Sequence, residues 1–495
     1  SLALASATSF ASSGTVIIGA ELITYSSKSG NTLSGLTRGT SGTTAAIHSS
    51  GAQVIDASTY AGFGAASSGD IVTAPGMWSL DNFGNKLIAT IFSGETFTWS
   101  SDATDATATR AVLASGAPTA SRDMLVSTPD RHLVFFGTET TIGTKSSQDQ
   151  MFIRFSSQED ITDYTPTATN SAGTQRLADG SRIMGALRGR NAIYVWTDTA
   201  LFLMRFVGAP FTFAFEQVGT NCGLIGKNAA VEVDGTVYWM SENGFFRYGG
   251  QLESLPCLVE DFVFDDLNTV TKQHVNAGLN NLFGEINWFY VSSGSNTVNR
   301  VVTYNYFDSS NERPIWTTGT LDRTAWSDSA IFGKPHATQY DTSTNGTSGS
   351  STYVEGNTDG VSIYYEHETG LNQVKEGAET AIVANIESGD FDISITKEGG
   401  ASIKGDGEFI MKISRVIPDF LAQTGDATVT LQLRDFPTDV EASSSLGPFT
   451  VTTSTKKIDT RARARAISLK VSNTSTSQFW KLGTFRLDIN PDGRR

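Results

Sequence analysis

Ile183-Met184-Gly185-Ala186-Leu187, Arg188-Gly189-Arg190-Asn191, Ala192-Ile193-Tyr194-Val195-Trp196, Thr197-Asp198-Thr199, Leu201-Phe202-Leu203-Met204 is one half of a sentence that the chain repeats. The other half is Ala229-Ala230-Val231-Glu232-Val233, Asp234-Gly235, Thr236-Val237-Tyr238-Trp239-Met240, Glu242-Asn243-Gly244, Phe245-Phe246-Arg247-Tyr248. Both consist of short β-branched and aromatic runs separated by turns of Asp, Asn and Gly. Those residues tolerate the left-handed backbone of tight hairpins, so each copy reads as a small antiparallel meander.

Fainter copies lie on both sides. Phe83-Gly84-Asn85 leads into Leu87-Ile88-Ala89-Thr90-Ile91, then Ser93-Gly94 and Phe97-Thr98-Trp99. Asp130-Arg131-His132 precedes Leu133-Val134-Phe135-Phe136, and Gly284-Glu285 precedes Ile286 to Val291, with Val301 to Tyr304 as its partner. A last copy runs from Ala325 to Tyr365. Recurrence every ~45–60 residues is the period of four-stranded propeller blades. The expected fold is therefore all-β, a β-propeller of about six blades over residues 77–375.

The propeller is flanked by two other β regions. Residues 1–60 read as an N-terminal β module, with strands Gly14–Gly19 and Glu21–Tyr25, a turn at Lys28–Asn31, and Leu33–Thr40 leading on to Ala45–Val54. Residues 61–76, rich in Gly, Ala and Ser, read as a linker. From 376 to 495 strict alternation in Ala427–Leu433, Ala466–Val471 and Trp480–Ile489 predicts a C-terminal β-sandwich. Between Leu255 and Leu267 the β rhythm breaks. Leu255, Leu258, Val259, Phe262 and Val263 recur at helical spacing, which predicts a short helix with these positions inward and Glu260, Asp261, Asp265 and Asp266 in water.

With 51 acidic and 36 basic residues the chain carries a formal charge of −15, the reverse of what a phosphate-gripping protein needs. Two cysteines in 495 residues exclude a disulfide scaffold and read as free thiols. No apolar run spans a bilayer and the N-terminus lacks signal-peptide character, which leads to the expectation of a soluble protein or a soluble part of an assembly.

Motifs of catalysis are sparse. Gly223-Leu224-Ile225-Gly226-Lys227-Asn228 lacks the spacing of a phosphate-binding loop, His367-Glu368 lacks a second histidine four places on, and no Gly-x-Ser-x-Gly elbow or sialidase Ser-x-Asp-x-Gly-x-x-Trp box occurs. The five histidines are dispersed singly. Glu355, Asn357, Asp359, Gly360 and Glu366 occupy calcium-loop places one, three, five, six and twelve. The same stretch reads as an Asp-Gly hairpin turn feeding a strand, because no flanking helix is predicted. Arg461, Arg463 and Arg465 alternate with small residues, so on a strand all three leave one face. A row of like charges implies either cross-strand acidic partners or an acidic surface on another subunit, with DNA as a further reading.

The series Phe289-Tyr290-Val291, Arg300 to Tyr306, Ile315-Trp316-Thr317-Thr318-Gly319, Arg323 to Asp328 and Tyr365-Glu366-His367-Glu368-Thr369-Gly370 resembles the tail hub or nozzle proteins of short-tailed bacteriophages, the packaged-DNA stabilisation proteins. The ending Arg463-Ala464-Arg465-Ala466 through Trp480-Lys481-Leu482-Gly483 to Asp492-Gly493-Arg494-Arg495 is similar to their C-terminal signature. The opening Leu36-Thr37-Arg38-Gly39-Thr40 with Ala45 to Gly51 resembles a small β module recurrent in phage tail proteins.

The resemblance implies a virion component of the tail, assembled in the host bacterial cytoplasm as a ring of six copies below the portal and adaptor. It implies no catalysis and no cofactor. Its implied partners are the tail adaptor protein, fibres or spikes, a distal plug, the host envelope during ejection, and genomic DNA that passes without specific binding. Arg461, Arg463, Arg465, Arg494 and Arg495 are the expected interface residues. Acidic walls would suit such a conduit, since they repel a polyanion and prevent sticking. The alternatives from other classes are a glycan- or receptor-binding tail protein and a propeller glycoside hydrolase.

Overall fold

The computed structural model describes residues 1–57 except 9, 20, 41 and 42; 77–102; 111–341 except 129, 330 and 331; 361–395 except 376 and 377; 401–402; 409–436; and 442–493. The expected linker at 61–76 lies outside the described residues. The chain is nearly all β, and it divides into two compact units, Ser1–His367 and Glu368–Arg495. The expected boundary at 375/376 falls between two strands that pair as a hairpin, Asn372–Lys375 and Ala378–Ala381. That hairpin belongs whole to the second unit.

At the start of the first unit, Gly14–Ile18, Glu21–Ser29 and Thr32–Thr37 form a meander edged by Leu2–Ala3 and Ile55–Asp56. Val16, Ile18, Ile23, Tyr25 and Leu33 make its core. Glu21 is buried at the end of this core. Arg38 grips its carboxylate with two nitrogens, the backbone N–H groups of Gly39 and Ala46 donate to it at 3.0 and 3.1 Å, and His48 Nε2 lies at 2.7 Å. The Arg38-Gly39-Thr40 and Ala46-Ile47-His48 segments, neither of them strand, are thus folded around one buried anion.

The Arg38 guanidinium, with the other donors, holds the Glu21 carboxyl well below its ordinary value of 4.5. A carboxylate depressed in the folded state contributes stability above its unfolded pKa and loses it as pH falls. The N-terminal meander is therefore expected to loosen progressively below about pH 4.5, seen as faster amide exchange of residues 14–29 after correction for intrinsic rates. A Glu21→Gln variant should be less protected at neutral pH and lose that pH dependence; protection that is flat from pH 7 to 3 in the unsubstituted chain would contradict the assignment.

Six antiparallel sheets follow in chain order. Trp78–Phe83, Lys86–Ile91, Thr96–Ser100 and Val112–Leu113 form the first. Asp123–Ser127, His132–Phe136, Phe152–Phe155 and Gly173–Arg176 form the second, and Ile183–Arg188, Ile193–Thr197, Ala200–Gly208 and Thr212–Thr220 the third. Ala230–Val233, Thr236–Ser241, Gly244–Tyr248 and Leu252–Leu255 form the fourth. The fifth is Asn276–Asn280, Glu285–Tyr290, Arg300–Asn305 and Trp316–Gly319, and the sixth has three described strands, Ala325–Ser327, His336–Asp341 and Val361–Glu366.

Each sheet is a meander in sequence order, and the first strands of successive sheets lie side by side. The turns are those the sequence requires: Asp234 (φ 49°) and Gly235 (φ 84°) both take positive φ between paired strands, the backbone of a two-residue hairpin. Gly223 is needed for another reason. A Cβ there would lie 2.1 Å from the carbonyl oxygen of Asp198, so the connection into the fourth sheet closes against the third only without a side chain.

Tryptophans tie consecutive sheets. Trp239 Nε1 donates to Cys222 O at 2.8 Å, Trp288 Nε1 to Ala229 O at 3.0 Å and Trp326 Nε1 to Leu279 O at 2.8 Å. Trp239 and Trp288 are fully buried, within a core shared by the third, fourth and fifth sheets. A large ring with one polar end suits this place, because its body fills the gap between sheets and its N–H satisfies a backbone carbonyl there.

The single α-helix among the described residues is Glu260–Asp266, shorter than the sequence predicts, and its inward stripe differs. Val263 and Leu267 are buried with Val259 and Phe264 against them, whereas Leu258 and Phe262 are 77% and 57% exposed. Apolar residues at three- and four-residue spacing offered two stripes, and packing selected the one containing Val259, Val263 and Leu267.

In the second unit, Asn385–Glu387, Ala466–Ser472, Ala427–Arg434 and Ser444–Val451 form one sheet, and Ile458–Ala464, Met411–Ile417 and Arg486–Pro491 another. Val429, Leu431, Ile467 and Val471 of the first meet Met411, Ile413, Val416, Ala462 and Ala464 of the second in one core. The alternation read from the sequence is realised residue for residue in Ile458–Ala464, where odd positions are exposed and even ones buried.

Candidate functional site: a basic sheet face and a bridged centre

The outward face of the sheet Ile458–Ala464, Met411–Ile417, Arg486–Pro491 carries Lys412, Arg415, Arg461, Arg463 and Arg486, with Lys457 just ahead of its first strand. Arg461 and Arg463 project from the first strand as expected. Arg465 does not join them, because the strand stops at Ala464 and Arg465 sits in the bend that carries the chain to Ala466–Ser472 in the other sheet. Arg494 and Arg495 lie outside the described residues. The structure adds partners that the sequence did not indicate: Lys412 stands directly opposite Arg463, and Arg415 stands between Asp459 and Asp488.

Neutralisation on this face is incomplete. Arg415 reaches Asp459 at 3.2 Å and Asp488 at 3.3 Å, Lys457 reaches Asp459 at 2.9 Å, and Arg463 pairs with Asp492 at 2.6 Å. Lys457 and Arg415 together lower the Asp459 carboxyl below its usual range. Among the described residues Arg461, Lys412 and Arg486 have no acidic partner, so three of the six cations on the face are left over. Acidic pairing within the sheet thus holds for Arg463 of the row and not for Arg461.

Among the described residues, ion pairs and hydrogen bonds link the sheets near their centre. Lys227, on the connection into the fourth sheet, is 6% exposed; its Nζ lies 3.2 Å from Asp123 Oδ1 of the second sheet and donates to Trp78 O at 3.1 Å and to Ser79 Oγ, both of the first. Ser79 Oγ donates to Asp123 at 2.8 Å, and the other Asp123 oxygen accepts Ala186 N–H of the third sheet at 2.9 Å. Arg188 of the third sheet donates to Asp81 at 2.8 Å and to Val126 O at 2.9 Å. Ala277 N–H donates to Asn228 O at 2.7 Å, and Asn276 Nδ2 to Arg323 O at 3.0 Å. Cavities of about 330 and 360 Å³, both bordered by Lys227 and Asn228, lie among these groups. Spaces of that size hold waters or a small molecule, never a nucleic-acid strand.

Asp130, His132 and Ser171 stand in the order of a hydrolase relay, with His132 Nδ1 3.0 Å from Asp130 and Nε2 3.1 Å from Ser171 Oγ. Sequence reasoning missed the trio because Ser171 is 39 residues from His132. Its surroundings are those of a structural tie. His132 is fully buried beneath Phe155, Phe206 and Phe213, and Ser171 Oγ already accepts the Gln158 N–H at 2.7 Å. The free thiols Cys222 and Cys257 are pushed up by burial to about 11 and about 12, out of nucleophilic range. Of the calcium-loop residues, Glu355, Asn357, Asp359 and Gly360 lie outside the described residues, and Glu366 ends a strand paired with His336. Among the described residues no group of three or more His, Cys, Asp or Glu could hold a metal, and no helix is long and apolar enough to cross a membrane.

No family model matches the chain, and no curated protein matches it. Solved structures resemble it only loosely. The dihydro-heme d1 dehydrogenase NirN aligns at TM-score 0.34 and 9% identity over 66% of this chain and 58% of its own. Sqt1 of Saccharomyces cerevisiae aligns at 0.35 and 9% over 63% and 88%, and an exo-β-1,3-galactanase of Phanerochaete chrysosporium at 0.27 and 10% over 83% and 95%. The chain thus spans little more than half of NirN, and at TM-scores this low the architecture rests on the sheets of the chain itself.

Proposed function

We propose that the chain is a structural subunit of a bacteriophage tail hub or nozzle, a six-bladed β-propeller with an N-terminal β module and a C-terminal β-sandwich, six copies of which form a ring around the DNA channel. In this reading the ring retains the packaged genome and conducts it during ejection, bound to a tail adaptor, and catalyses nothing. The observation that carries it is the half-neutralised basic face on a unit that is otherwise near charge balance. Residues 368–495 hold 16 basic and 17 acidic side chains, whereas residues 1–367 hold 20 basic and 34 acidic ones.

A protein so divided has a reason to associate with itself, and its acidic part suits a wall that DNA must slide past. Lys227, Asp123, Arg188 and Asp81 form ion pairs between the sheets near their centre, which supports placing the channel in the space that several copies enclose. Native mass spectrometry of the purified chain is expected to give a six-copy ring, and imaging a bore wide enough for duplex DNA. A monomer at all concentrations, or a ring too narrow for a duplex, would sink the proposal. A fluorophosphonate probe is expected to leave Ser171 unmodified; labelling there would move the chain to the hydrolase reading.

A further inference from the structure

We infer that the basic face of one copy docks on the acidic, apolar helix Glu260–Asp266 of a second copy, in a head-to-tail contact. The inference rests on the ring reading and names the two surfaces that make it. On the basic side Lys412 directly opposes Arg463, a like-charge pair that costs stability in an isolated sheet, and Arg461 and Arg486 are unpaired among the described residues. On the acidic side Asp261 and Asp265 are four apart on one helix face, again a repelling pair, with no cation on either among the described residues.

Burial, and to a lesser extent Asp261, pushes the neighbouring Glu260 carboxyl up. Leu258 and Phe262 sit exposed beside these carboxylates, large apolar side chains that the fold leaves uncovered. Each surface lacks what the other offers. Arginine and lysine stems cover apolar side chains while their heads pair with carboxylates, and a guanidinium stacks on a phenyl ring such as that of Phe262. A contact between two different patches of the same chain is heterologous, and it closes into a ring when the rotation between copies divides a full turn.

The test uses the full chain in three forms, with sedimentation or native mass spectrometry as readout and circular dichroism to verify folding. Reversing the basic face (Lys412→Glu with Arg461→Glu) is expected to weaken assembly roughly a hundredfold, and so is reversing the helix (Asp261→Arg with Asp265→Arg). Mixed in equal amounts, the two variants should assemble again, because each supplies the surface that the other needs and they can alternate around an even-numbered ring.

If the unsubstituted chain forms rings but either reversal leaves them unchanged, or the folded variants fail to rescue one another, this docking is wrong while the ring reading stands. If the unsubstituted chain never assembles, both fall. Binding of duplex DNA by folded monomers at moderate salt, abolished by Arg461→Glu, would assign the face to nucleic acid instead and overturn the inference.

Discussion

Replacing Lys227 by alanine is expected to destabilise the first unit by about 3–5 kcal/mol, a large part of the stability of any domain. The effect comes less from the lost attraction than from what is left behind. Asp123, 5% exposed beside Lys227, would keep its negative charge at the border of one cavity without the ammonium that pairs with it. Urea unfolding followed by tryptophan emission measures it, since seven of the eight tryptophans lie in residues 1–367. The double variant Lys227→Met with Asp123→Asn should recover most of the loss, because neither charge then has to be buried. A single-variant loss under about 1 kcal/mol would mean that water reaches Asp123 and that the centre is open.

Trp288→Ala is expected to cost a similar amount, about 3–5 kcal/mol, by leaving a cavity where the fourth and fifth sheets meet and by removing one of the two N–H donors, with that of Met240, on the Ala229 carbonyl. Trp288→Phe keeps much of the volume and loses the hydrogen bond, so its cost should be nearer 1–2 kcal/mol. Hydrogen exchange read by mass spectrometry locates the damage. Peptides of residues 230–290 should lose protection, while peptides of 411–434 in the second unit keep theirs. Equal loss in both would contradict the division after His367.

Much of the strand architecture was legible because hairpin turns and core strands act over a few residues. Phe83-Gly84-Asn85, Asp234-Gly235 and Gly284-Glu285 all lie where strands reverse. The fourth strands Gly173–Arg176 and Thr212–Thr220 escaped notice because much of their length is exposed, so neither alternation nor an apolar run marks them. Arg461 and Arg463 followed from alternation alone. Lys412 and Arg486 could not, since the register that brings them beside the arginines depends on strands about 50 and 25 residues away in sequence.

Local sequence was enough for many hairpin turns and core strands, for alternating strands near the C-terminus, and for the prevalence of acidic charge. Tertiary structure alone decided that Asp81 meets Arg188, that Asp123 meets Lys227, that Glu21 gathers Arg38 and His48, and that Leu258 and Phe262 face outward. The physical reason is range. Backbone propensity and side-chain period are settled between neighbours, whereas the neutralisation of a buried charge, and the choice between two apolar stripes on one helix, depend on which distant segments the packed sheets bring together.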